Sequence, residues 1–68
     1  MPSAPEYLKA KFPGSDAQAM KFLESHGFCL TGDWTWKLPS PDHIVTEDEW
    51  DAIEYLVLEW DFGGLEES

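Results

Sequence analysis

Residues 45–64 constrain the fold more than any other stretch of this chain. Thr46 and Glu49 have the spacing of a capping box, in which each side chain satisfies a backbone N–H that the first helical turn leaves unpaired. Val45 before the cap and Trp50 four residues after it have the spacing of a hydrophobic staple. Glu47, Asp48 and Glu49 place negative charge at the positive end of the helix dipole. The pattern predicts a helix from Glu47 to about Phe62, ended by Gly63-Gly64. At about 100° per residue, Trp50, Ala52, Ile53, Leu56, Val57 and Trp60 share one arc, the predicted core face. The rest of the chain must therefore supply a surface to cover that stripe.

It has little material with which to do so. The chain has 68 residues, enough for a single domain spanning 1–68. A domain of this size buries only about 60% of the surface that its unfolded chain exposes. One cysteine allows no internal disulfide. Four Trp, four Phe and two Tyr, spread along the sequence, are the expected compensation, because each buries a large area.

Upstream of the long helix the sequence reads as two short helices and a hairpin. Ser3 and Glu6 repeat the capping-box spacing, predicting a helix from Ala4 to about Lys11 anchored by Tyr7, Leu8 and Phe12. Pro13-Gly14 ends it. Ser15 and Gln18 open a second helix, from Asp16 to about His26, whose buried side is Ala19, Met20, Phe22 and Leu23. Gly27 is placed to terminate it. Phe28–Thr31 and Trp34–Leu38 then flank Gly32-Asp33, a candidate type II′ hairpin turn. That register puts Trp34 and Trp36 on one face with Thr31 and Cys29, and puts Phe28 and Leu30 on the other. Pro39-Ser40-Pro41 makes a rigid connection. The expected fold class is α+β: two short N-terminal helices, a β-hairpin and a long acidic C-terminal helix.

Charge is the most one-sided property of the sequence. The net charge is −10, and the basic residues are all lysine. Residues 1–34 carry −1 and residues 35–68 carry −9. Direct nucleic-acid binding is disfavoured, since phosphate contacts come from Lys and Arg. Anionic membrane surfaces are disfavoured for the same reason. No apolar run is long enough to span a membrane. The N-terminus lacks the pattern of a secretory signal, and with the lone cysteine this leads us to expect a cytoplasmic protein.

Site chemistry is sparse. His26, Cys29, His43 and an acid would have to converge to hold zinc, and the simpler expectation is a helix-terminal histidine, a small buried cysteine and a loop histidine. Asp42 to Glu54 does not follow the spacing of an EF-hand calcium loop. No phosphate-binding glycine loop or nucleophile elbow is present. The expectation is a protein that is not an enzyme and uses no metal or cofactor.

What remains is the acidic side of the long helix. Glu47, Asp48, Asp51, Glu54, Glu59 and Asp61 lie on the arc opposite the core stripe, interleaved with Tyr55 and Leu58. These eight residues are the candidate partner-binding site. The helix contains no lysine to neutralise them, and like charges at these spacings destabilise a helix by a few tenths of a kcal/mol per pair. The small size, the lack of arginine, and the segment from Thr46-Glu47-Asp48-Glu49-Trp50-Asp51 to Glu59-Trp60-Asp61 resemble small acidic inhibitors of phages and mobile elements, especially anti-CRISPR proteins of the DNA-mimic type. The resemblance is one of type and covers the whole chain. It implies an inhibitor acting in the host cytoplasm, as a monomer or weak homodimer. Its partner would be a basic nucleic-acid-binding protein or complex, such as a CRISPR effector of the Cascade-like kind, at its site for duplex DNA. The competing expectation is a general interaction module, adaptor or antitoxin-like, that uses Tyr55, Leu58, Phe62 or an uncovered Trp34/Trp36 face.

Overall fold

A computed structural model describes residues 4–12 and 16–66. In chain order the elements are α1 (Glu6–Lys11), α2 (Asp16–Ser25), β1 (Cys29–Leu30), β2 (Thr35–Lys37), α3 (Glu47–Trp60) and β3 (Gly64–Leu65). The protein is an α+β domain in which α3 packs against α2, α1 and β3.

The long helix begins as its sequence requires. Glu49 N–H donates to Thr46 Oγ1 at 3.3 Å, and Thr46 N–H donates to Glu49 Oε1 at 2.9 Å. Its end differs from expectation. The helix stops at Trp60, and Asp61 rather than a glycine takes the left-handed conformation, with φ 62°. Aspartate tolerates that region better than most residues. The early stop lets Phe62 turn back into the core, where its ring meets Trp34 edge-on at 5.3 Å.

Helix α2 ends in a Schellman motif. Phe28 N–H donates to Leu23 O, and Gly27 N–H donates to Glu24 O. Gly27 has φ +92°, and a side chain there would also meet Pro39 at 3.0 Å. Ala19 and Leu23 are buried, with Met20 and Phe22 packed partly against the core. The predicted helix start at Ser15, and the Pro13-Gly14 stop before it, fall outside the described residues. So does Ser3. Helix α1 starts at Glu6, two residues later than the predicted Ala4, with Pro5 at its N-cap and no side-chain cap. Pro5 O instead accepts from Leu8 N–H and Lys9 N–H. Leu8 and Phe12 are buried as expected, but Tyr7 is 61% exposed. A helix this short can bury only one stripe, and the i, i+4 pair Leu8 and Phe12 occupies it.

The hairpin register is shifted by one residue from expectation. Cys29 pairs with Lys37 and Leu30 with Trp36, so the loop is Gly32-Asp33-Trp34 and not a two-residue II′ turn. Thr31 organises it. Its Oγ1 accepts from Asp33 N–H at 3.2 Å and from Thr35 N–H at 3.3 Å. The left-handed position falls on Trp34, φ 63°, where a bulky residue is strained by about 1–2 kcal/mol. Tertiary contacts hold it there, because Gly63 N–H donates to Trp34 O at 2.8 Å and Phe62 packs on the ring. A one-residue slip moves every side chain to the other face. Trp36 is therefore fully buried beside Leu30, while Cys29 is exposed, contrary to the expected buried cysteine.

A third strand was not anticipated. Gly63-Gly64, expected to end the helix, instead leads into a strand: Gly64 and Leu65 pair in parallel with Thr35 and Trp36, giving the order β1-β2-β3. Gly63 is required by close approach, since a Cβ there would lie 2.6 Å from Thr35 Cγ2. The core is Leu8, Phe12, Leu23, Phe28, Trp36, Ile53, Tyr55, Leu56 and their smaller neighbours. Trp36 Nε1 is buried in it with no hydrogen-bond partner among the described residues.

Candidate functional site

The two faces of α3 differ in how their carboxylates are used. Its buried residues are Glu49, Ala52, Ile53, Tyr55 and Leu56. This core face is rotated from the predicted stripe. Trp50 and Trp60, assigned to the core by periodicity, are exposed by 47% and 44%. Tyr55, assigned to the surface, is only 4% exposed and its ring packs 5.5 Å from Phe12. The cause is α1, which docks on the flank where Tyr55 lies and closes over it.

That docking also divides the acids. Lys11 Nζ donates to Asp48 Oδ1 at 2.6 Å and to Asp51 Oδ2 at 2.7 Å. These hydrogen bonds, to Asp48 first and then to Asp51, push the Lys11 pKa above its ordinary value. Glu59 accepts from the Ala4 N–H at 3.0 Å and lies 3.8 Å from Lys9 Nζ. Asp48, Asp51 and Glu59 therefore face cations or donors of this chain. The helix lacks lysine of its own, but α1 supplies it from a distance in sequence.

Glu47, Glu54 and Asp61 are exposed and have no ion pair among the described residues. Glu47 and Glu54 are separated by about 10 Å of helix and a drift of only about 20°, and Asp61 follows at the C-cap, one residue past the helix end. Glu47 and Glu54 lie on the side away from the buried face, and Asp61 is exposed at its end. Trp50, Ile53, Val57, Leu58 and Leu65 border an open groove of about 430 Å³, with Glu54 and Gly64 at its edge. Leu58, proposed as a surface anchor, packs partly against the core and lines this groove.

Glu49 was missed as a candidate for anything beyond a cap. It is 2% exposed, yet it accepts three hydrogen bonds: from Thr46 N–H and His43 Nε2, 2.9 Å each, and from His26 Nδ1 at 2.7 Å. Burial opposes ionisation, but the bonds from Thr46, His43 and His26 outweigh it and hold the carboxyl at about 2 rather than 4.5. An ionised carboxylate only accepts, so His26 must carry a proton on Nδ1 and His43 on Nε2. Phe22 stacks at 4.3 Å on His26, and Phe28 meets His43 edge-on at 5.3 Å. Two histidines separated by sixteen residues thus clasp the start of α3 to the end of α2 and to the 39–46 loop. The sequence signal was the pair itself, and what sequence could not show was that one buried carboxylate serves both.

Cys29 stays out of this cluster on the outer face of the sheet. Among the described residues no group of three or more His, Cys, Asp or Glu is arranged to hold a metal ion. Nor is any described helix long and apolar enough to cross a membrane.

A family model described as "Phage Pam3 gp59 related protein" matches residues 1–68, the whole chain. Comparison with curated proteins and with solved structures returns no match.

Proposed function

The chain belongs to the Phage Pam3 gp59 related protein family, and on that premise we propose that it is a phage-encoded, non-enzymatic inhibitor acting in the host cytoplasm. It binds the basic nucleic-acid-binding surface of a partner and presents α3 in place of DNA. An anti-CRISPR protein acting on a Cascade-like surveillance complex, at a Lys/Arg-lined site for duplex DNA, is the specific form of this reading. The observation that supports it is the outward set Glu47, Glu54 and Asp61, exposed and without an ion pair among the described residues, while Asp48, Asp51 and Glu59 are paired to α1 or its N-terminal approach. Leaving such a set unneutralised costs stability through self-repulsion, and a cationic partner would recover that cost. Carboxylates on a rigid helix are suited to charge-assisted bonds with Lys and Arg.

The test is a pull-down from host lysate at low and high salt, with a Glu47→Lys/Glu54→Lys bait as the control. Asp51 is a poor choice for reversal because it is half-buried against Lys11. Recovery of a nucleic-acid-processing complex at low salt, lost with the control bait, is the expected result. A salt-resistant partner retained by the control bait would replace this reading with a second one, an adaptor module. The observation favouring that alternative is the exposure of Trp34 at 57% and of Tyr7, Trp50 and Trp60.

A further inference from the structure

We infer that the groove between α3 and β3 receives an apolar side chain flanked by Lys or Arg, carried on a basic segment of the partner protein; this rests on the inhibitor reading above and specifies its contact. The groove has an apolar floor. Ile53 is buried at its base, and Val57, Leu58 and Leu65 are packed partly against the core. Trp50, half-exposed, forms one wall. Gly64 opposite Val57 carries no side chain to close the space, and its φ of +86° disfavours any residue that would.

Charge selects the occupant. Glu54 is part of the lining, and Glu47 and Asp61 are exposed at the two ends of the helix. No lysine lines the groove, since Lys9 and Lys11 project from α1 toward the other flank and Lys37 lies in β2. A second copy of this chain, at −10, would bring like charge against like. An apolar residue alone would leave Glu54 facing a dry interface without a partner. An apolar residue between cations satisfies both halves of the site. The division of labour follows: the carboxylates speed encounter, and the groove lengthens residence.

The experiment uses the intact protein and three synthetic peptides. The first has a central Phe between Lys and Arg residues. The second replaces Phe with Ser. The third keeps Phe but replaces every cation with Gln. Binding is read by titration and by the NMR shift of the Trp50 indole N–H. The first peptide is expected to move that signal and to bind roughly tenfold to a hundredfold more tightly than the second, the increment for burying one large apolar side chain. Trp50→Ala should remove that increment; because the wild-type shift reports independently, a Trp50→Ala protein that fails to fold does not rescue the idea. Equal binding of the first two peptides, lost with Glu54→Lys but not with Trp50→Ala, overturns the groove and leaves the acidic-face reading standing. Equal binding of the first and third peptides at every salt concentration overturns the charge selection and counts against the inhibitor reading as well. No shift at Trp50 with any peptide overturns the groove, whatever the lysate experiment returns for the acidic face.

Discussion

Glu49 and Glu54 stand on one helix and carry the same carboxylate, yet the fold uses them in opposite ways. Glu49 is buried, accepts three hydrogen bonds and joins three parts of the chain. Glu54 is exposed, has no ion pair among the described residues and borders an apolar groove. The contrast teaches that charge on a helix has no fixed meaning. A carboxylate surrounded by donors of its own chain is structural. One without donors among the described residues is, on the function proposed above, the carboxylate that a partner would meet. Asp48, Asp51 and Glu59 fall between, held by α1 or its approach at a partly exposed flank.

The most direct attempt to break this contrast is to truncate both residues. Glu49→Ala should destabilise the domain by about 3–4 kcal/mol, because it removes the acceptor for a backbone N–H and two histidines at once. A chain of this size has roughly 3–10 kcal/mol in total, so the loss is about a third of it or more. Glu54→Ala should change stability by less than about 0.5 kcal/mol. Urea unfolding followed by circular dichroism measures both. Equal effects would show that the Glu49 clasp is not structural.

Acid titration separates them next. The Glu49 pKa is depressed in the folded state, to about 2 from 4.5. Its contribution is present above the unfolded value and is lost as pH falls from about 4.5 toward 2. The loss should be on the order of 3 kcal/mol, and Glu49→Gln should flatten that part of the stability–pH curve. A curve unchanged by Glu49→Gln would mean that other carboxylates govern acid unfolding.

Smaller effects sharpen the picture. His43→Ala and His26→Ala should each cost about 1.5–3 kcal/mol, as expected for losing a hydrogen bond to a charged acceptor, with His43, the less exposed ring, at the upper end. Thr46→Ala should cost about 1 kcal/mol by removing half of the capping box. Lys11→Gln addresses the intermediate acids. Releasing Asp48 and Asp51 adds them to the exposed set, so binding to a cationic partner should tighten even as the α1 contact loosens. Weaker binding by this variant, measured by calorimetry against the same partner or peptide, would mean that α1 positions the acidic face rather than shielding it.

Much of the fold was legible before any tertiary structure. The Thr46–Glu49 box fixes the start of α3, and Gly27 fixes the end of α2, because both depend on residues a few positions apart. The three helices, the presence of a hairpin and the α+β class followed from such local signals, whereas the third strand did not. The candidate site was legible in part. Periodicity draws Glu47, Asp51, Glu54 and Asp61 as one acidic ridge, but it could not show that Lys11 takes Asp51 out of that set, nor could it assign Tyr55 correctly. Its fate depends on whether another element covers its flank, and α1 does.

Local chemistry, then, is what the sequence determined by itself: caps, helix spans to within a few residues, and the concentration of negative charge in the second half. Only tertiary structure decided the rest. The hairpin slipped by one residue because Thr31 can organise a three-residue loop and because Gly63 and Phe62 secure Trp34 in a conformation that it would not choose alone. Gly64-Leu65 became a strand because β2 offered it an unpaired edge. Glu49 became a buried hub because residues 26 and 43 arrive together at the start of α3. In each case the deciding contact joins residues far apart along the chain, or balances a local strain against a distant bond, and no short-range pattern encodes that balance.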